Sequence, residues 1–135
     1  MILLDTDVIS RLRRVERMPN LAAWIAAQDG QGLCLSAITI GEISRGIALR
    51  RRDDPGFARD LDLWLARTAQ LFGDRIIPFG AEEARVWGEL AAETGNQTAD
   101  MQIAATARVH GATLATFNRR HFAPIGLALA DLPEG

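Results

Sequence analysis

Two rhythms of apolar and polar positions alternate along this chain. Short unbroken apolar runs predict buried strands, and apolar residues returning every third or fourth position predict helices. The first rhythm places strands at residues 2–5, Leu33 to Leu35, Arg75 to Pro78 and Thr113 to Phe117, with Leu127 to Ala130 as a fifth at an edge. The second places a helix at residues 7–17 and another beginning at Pro19, a residue suited to a first turn. Ser36 can cap a helix running to about Arg51. Asp53-Asp54-Pro55 starts the next, which ends near Gly73. Gly80 to Thr94 forms a helix carrying Val86, Trp87 and Leu90. GNQ at 95–97 interrupts the chain, Thr98 caps a helix through His110, and Gly111 ends it. DGQG at 29–32 reads as a turn.

Strands that alternate with helices call for a parallel sheet covered on both faces. No linker, internal repeat or low-complexity segment divides the chain, so residues 1–135 are expected to form one domain, large enough to bury a core. Ligands in such folds bind beyond the carboxyl ends of the strands. Asp5 stands at one such end, and Thr116 and Asn118 at another.

Composition narrows the chemistry mainly by exclusion. No apolar stretch approaches the roughly 18 residues that cross a bilayer. The N-terminal apolar run is too short for a signal peptide, so a cytoplasmic protein with no membrane contact is expected. Cys34 is the single cysteine, which leaves no intrachain disulfide and no cysteine-based zinc site. His110 and His121 lack the spaced companions that zinc needs. Net charge is −2, so there is no global attraction for nucleic acid. All 15 basic residues are arginine, and any mechanism that requires a lysine is thereby excluded. The arginines gather at Arg11, Arg13, Arg14 and Arg17, at Arg50 to Arg52, and at Arg119 and Arg120. Such groups hold phosphates through bidentate hydrogen bonds, or are simply solvated helix faces.

Carboxylates supply the remaining chemistry. Glu42 lies in AITIGEISRGIAL, where Ile40, Ile43 and Ile47 form the core-facing stripe. A surface glutamate paired with Arg45 is the plain reading of Glu42. Gly41 and Gly46 inside that helix suggest close approach by a ligand or by a neighbouring backbone. Asp100, in TADMQIAATARVHG, shares a stripe with Ile103, Ala104 and Ala107. It is either a helix-start aspartate interacting with the dipole or a charge aimed at the core that needs a cationic partner. On the second reading Asp5, Glu42 and Asp100 converge at the carboxyl rim of the sheet. Like charges held that close demand neutralisation. A small set of oxygen ligands suits Mg²⁺ or Mn²⁺.

The pair Asp5 and Asp7 resembles the aspartyl nucleophile motif of haloacid-dehalogenase-like phosphatases. Those enzymes want threonine or valine where this chain has Ile9, and they use a lysine. Receiver domains fail on the same missing lysine. The chain instead resembles the PIN-domain family, within it the VapC-like toxins of bacterial type II toxin–antitoxin systems, including the FitB-type branch. LDTDVIS at 4–10, LSAITIGEISRGIAL at 35–49, ADMQIAATA at 99–107 and LATFNRRHF at 114–122 carry that resemblance, in the family's order, and RIIPF at 75–79 also fits.

The resemblance implies a PIN-like three-layer α/β/α fold around a short central parallel sheet of four to five strands. It implies a Mg²⁺-dependent endoribonuclease, with Mn²⁺ as substitute, in which activated water attacks RNA phosphorus to leave a 5′-phosphate and a 3′-hydroxyl. Asp5, Glu42 and Asp100 match the metal-binding acids, Thr6 the small polar residue supporting the first, and Thr116 the hydroxyl ending the fourth strand. The fourth acidic position falls on Asn118, which removes one negative charge, and Asp7 stands where asparagine is common. Arg11, Arg14, Arg45, Arg119 and Arg120 become candidates for RNA contact. A homodimer, a cognate antitoxin, and DNA binding only through that antitoxin are implied as well. The alternative is a catalytically weak or inactive PIN module that serves as the antitoxin's partner in a DNA-bound repressor.

Overall fold

Leu3 and Leu4 are both fully buried, and their side chains enter different cores, as period-two alternation in a strand requires. That single fact organises the computed structural model, which describes residues 1–28 and 32–134. The turn expected at 29–32 lies, apart from Gly32, outside those residues.

Four parallel strands, β1 (Ile2–Leu4), β2 (Leu33–Ser36), β3 (Ile76–Ile77) and β4 (Thr113–Ala115), form one sheet in the order β3-β2-β1-β4. The helices are α1 (Thr6–Arg11), α2 (Pro19–Ala27), α3 (Ala37–Arg51), α4 (Pro55–Phe72), α5 (Ala81–Thr94), α6 (Ala99–His110) and the short α7 (Arg119–Phe122). Leu3, Cys34 and Leu114 pack beneath α5 and α6 with Leu90, Met101, Ile103 and Phe122. Leu4, Leu33, Leu35 and Ala115 pack on the other face with Val8, Ile9, Leu21 and Phe72. The result is the three-layer α/β/α arrangement expected from the alternation of elements.

Some boundaries differ from the sequence pattern for local reasons. The helix expected over 7–17 stops at Arg11 and continues as a 3₁₀ stretch over Leu12–Arg17, interrupted where Arg14 adopts φ −119°, ψ 69°. The third and fourth strands shrink to Ile76–Ile77 and Thr113–Ala115, because only those residues find ladder partners. The fifth strand reduces to one bridge between Leu114 and Leu129 at the β4 edge. Gly111, at φ 62°, ends α6 in the left-handed conformation that glycine tolerates best. Among the described residues no helix is long and apolar enough to cross a membrane.

Strand order reverses between β1 and β4, so the crevice past their carboxyl ends is the topological switch point at which open α/β sheets bind ligands. Both strands depend on tight two-sided packing to hold that crevice in register. Leu4→Ala, one residue before Asp5, should cost about 2–5 kcal/mol of unfolding free energy. Urea denaturation measures it, and a loss below about 1 kcal/mol would show that β1 is not the packed centre of the sheet.

Candidate functional site

Asp5 leaves β1 at the switch point with only 2% of its surface exposed. Its amide donates to Ala115 O at 2.9 Å, which extends the β1–β4 ladder by one residue. Its side chain caps α1: Oδ1 accepts from Thr6 N at 2.8 Å. Oδ2 accepts from the Thr116 hydroxyl at 2.7 Å, and Thr116 Oγ1 in turn accepts from Asn118 N at 3.0 Å. A carboxylate so enclosed is costly to ionise. Burial is the largest reason that its pKa is pushed up from 3.8 to about 7. The charges of Asp7 and Asp100 raise it further, while the Thr116 and Thr6 hydrogen bonds oppose the rise.

Glu42 reaches the same region from the first turns of α3. Its Oε1 accepts from Thr6 Oγ1 at 2.6 Å, and Thr6 Oγ1 also meets the fully buried Thr39 Oγ1 at 2.9 Å. Thr6 therefore joins the first acid to the second, its backbone on Asp5 and its hydroxyl on Glu42. Among the described residues Glu42 forms no ion pair with Arg45, contrary to the plain sequence reading. Thr39 was missed by the sequence reading. Its signal is a polar residue three positions before Glu42, on the same face of the helix.

Asp100, in the first turn of α6, is paired with a residue that spacing did not single out. Its Oδ2 lies 2.7 Å from His121 Nδ1. α7 puts His121 there by following directly on the Asn118 turn, where His121 N donates to Asn118 O at 3.0 Å. Asn118 is exposed, and its side chain caps nothing. Asp7 sits in the first turn of α1 as expected, but it also closes the site: its Oδ2 accepts from Phe117 N at 3.0 Å. The other oxygen, Oδ1, is buried with no partner among the described residues. Burial raises the Asp7 pKa as well.

The expected convergence of Asp5, Glu42 and Asp100 is thus only partial. Asp5 feels the charges of Asp7 and Asp100, and Glu42 is linked to Asp5 through Thr6. Among the described residues, however, no three His, Cys, Asp or Glu side chains are arranged as a group able to hold a metal ion. Repulsion between like charges supplies the physical reason, since each carboxylate turns to its own neutral or imidazole partner: Thr116, Thr6 or His121. The donor set still fits a hard cation. It is mostly oxygen, one buried oxygen is orphaned, and the charges raise the Asp5 pKa in a way that a cation would reverse.

The arginine candidates divide on inspection. Arg11 lies 4.1 Å from the Phe117 ring centroid, at the edge of the acids, where its charge favours ionised Asp7. Arg119 is engaged elsewhere: Nη1 donates to Ala130 O at 2.8 Å and sits 3.8 Å from Asp131. Arg14 occupies the kink, and Arg45 and Arg120 are exposed. The close approach expected at Gly41 and Gly46 is absent, because a Cβ at either would meet nothing within 4 Å.

The family described as PIN domain matches residues 2–126 of this chain. The VapC ribonuclease Y4jK of Sinorhizobium fredii is 35% identical over 140 residues, covering 97% of this chain and 96% of that protein. Toxin FitB of Neisseria gonorrhoeae is 34% identical over 125 residues, covering 86% of each. The solved structure of FitAB bound to an IR36 DNA fragment superposes with a TM-score of 0.82 at 31% identity, over 99% of both chains.

A raised carboxyl pKa has a sign in stability. Between about pH 4 and 7 the folded protein binds the Asp5 proton and the unfolded chain does not, so stability falls as pH rises through that window. In EDTA the melting midpoint should drop from pH 5 to pH 8. Asp5→Asn should remove most of that drop and raise the midpoint at pH 8 by about 5 °C. Identical pH slopes for the two proteins would contradict the burial argument.

Proposed function

Because this chain belongs to the PIN-domain family, we propose that Asp5, Glu42 and Asp100 are the oxygen ligands of a Mg²⁺ ion at which RNA is cleaved. The protein is a metal-dependent ribonuclease, the toxin of a toxin–antitoxin pair. The observation that carries the ligand assignment is the buried Asp5 carboxyl at the switch point, its ionisation opposed by Asp7 and Asp100. A cation beside such a group would favour its carboxylate form and offset the cost of burying the charge.

Bound there, a divalent ion supplies Lewis acidity that activates water and orients the phosphodiester for in-line attack. The chain's own groups do the positioning. Thr116 and Thr6 fix both oxygens of Asp5, so that the carboxylate cannot rotate away. The Thr6 hydroxyl holds Glu42 Oε1 and leaves Oε2 free to face the ion or a water. His121 orients Asp100 through its 2.7 Å contact with Oδ2, as a hydrogen-bond partner behind a metal ligand does. Asp7 ties α1 to the loop after β4, and its orphaned Oδ1 offers an additional acceptor. This distribution makes Asn118 dispensable as a ligand. Mn²⁺ substitutes for Mg²⁺, since both accept oxygen ligands and retain water.

A cognate antitoxin is the partner, and DNA is reached only through it, a reading supported by the likeness to FitAB, whose structure is solved bound to a DNA fragment. The reading includes a homodimer and a cytoplasmic location, where the RNA substrate is found.

Purified protein should cleave single-stranded RNA with Mg²⁺ and stop in EDTA. Asp5→Asn and Asp100→Asn should each reduce the rate below about one-hundredth while retaining the native circular dichroism spectrum. His121→Ala should weaken Mn²⁺ binding, measured by calorimetry, about 10- to 100-fold. Undiminished cleavage by both aspartate variants would refute the ligand assignment.

A further inference from the structure

Phe57, near the start of α4, carries two guanidinium groups. Arg13, from the 3₁₀ stretch after α1, and Arg50, from the last turn of α3, each lie 5.1 Å from its ring centroid. Both arginines line a cleft of about 250 Å³ whose other walls include Thr6, Ser10, Glu42 and Gly46. The cleft, lined in part by Ile43, Ile47, Leu61 and Trp64, therefore holds both the Thr6–Glu42 hydrogen bond of the candidate site and two cationic groups. We infer that Arg13 and Arg50, braced on Phe57, form a subsite for a backbone phosphodiester of single-stranded RNA, next to the phosphodiester being cleaved. The inference rests on the ribonuclease reading.

Several observations point the same way. Among the described residues neither guanidinium is ion-paired to a carboxylate. Two like charges that share one ring repel each other, and an anion between them relieves the repulsion. Stacking on the ring orients each planar fork without consuming its N–H donors, which suits bidentate contact with phosphate oxygens. Gly46 opens the cleft, since a Cβ there would meet nothing within 4 Å. A strand whose scissile phosphate lies at the acids must carry the neighbouring phosphate along some path. This cleft is the cationic path that begins at Glu42. Phe57 braces the arginines, so the contact is to the backbone and tolerates any base sequence.

The test uses a fluorescent single-stranded RNA of mixed sequence. Anisotropy is read over a salt series on the Asp100→Asn protein, and cleavage kinetics are read on the otherwise unsubstituted protein. Arg13→Gln with Arg50→Gln should weaken binding about tenfold and reduce the slope of log affinity against log salt by about 0.7, the loss of one single-strand phosphate contact. In kinetics the same pair should raise KM about tenfold and leave kcat within about twofold. Phe57→Leu keeps both charges, so it should weaken binding less and leave the slope unchanged. Arg67→Gln, on the exposed side of α4, should change neither. The subsite is overturned if the double variant retains the parental slope and KM, or if Arg67→Gln matches its effect. It is also overturned if the double variant binds RNA normally and loses only its antitoxin. Absence of cleavage by the parent protein would instead refute the ribonuclease reading, and the binding slope would still report on the subsite.

Discussion

A carboxylate buried at the end of a central strand is the constraint around which this molecule is arranged. Asp5 cannot move to solvent without breaking the β1–β4 ladder, the α1 cap and the Thr116 hydrogen bond together. Its neighbours make the difficulty worse, since Asp7 and Asp100 add negative potential to the same crevice. Structural ion pairs solve a buried charge by supplying a permanent cation from the chain. Here hydroxyls and amides orient the carboxylate, and among the described residues no arginine pairs with it. A buried carboxylate left without a cation costs stability, and strongly perturbed carboxyls of this kind cluster at functional sites.

The rest of the fold delivers side chains to that place from elements far apart in the sequence. α1 begins on Asp5 itself, α3 carries Thr39 and Glu42, α6 begins beside Asp100, and the loop after β4 brings Thr116 and Phe117. Each is anchored by an adjoining apolar surface: Val8 and Ile9 behind α1, Ile47 on α3, Ile103 and Ala104 on α6, Phe122 on α7. A cavity of about 560 Å³ lies elsewhere, lined by Ile9, Ile25, Trp64 and Phe72 among other residues, none of them acidic.

Much of this arrangement is legible in the order of residues. The apolar runs specify the strands because a parallel sheet buried on both faces tolerates little else. Caps at Ser36 and Asp54 and the glycine after α6 are equally plain, since each satisfies local backbone groups. Asp5 and Thr116 could be placed at strand ends, but their adjacency required the strand order, which depends on crossovers that no local pattern encodes. His121 was opaque for a related reason. It meets Asp100 across 21 residues, through a four-residue helix too short to show periodicity. For Glu42 intrahelical spacing left two readings open, a surface pair with Arg45 or an acid of the site, and the tertiary contact with Thr6 favours the second.

The distance along the chain between Asp5 and Thr116 carries a consequence for biosynthesis. They are 111 residues apart. During translation, Asp5 emerges on the order of ten seconds before its hydroxyl partner exists. Until β4 docks, the first strand lacks one neighbour and its aspartate lacks both the Ala115 ladder bond and the Thr116 hydrogen bond. The acidic crevice is therefore completed late, only when β4 docks beside β1 and brings Ala115 and Thr116 to Asp5.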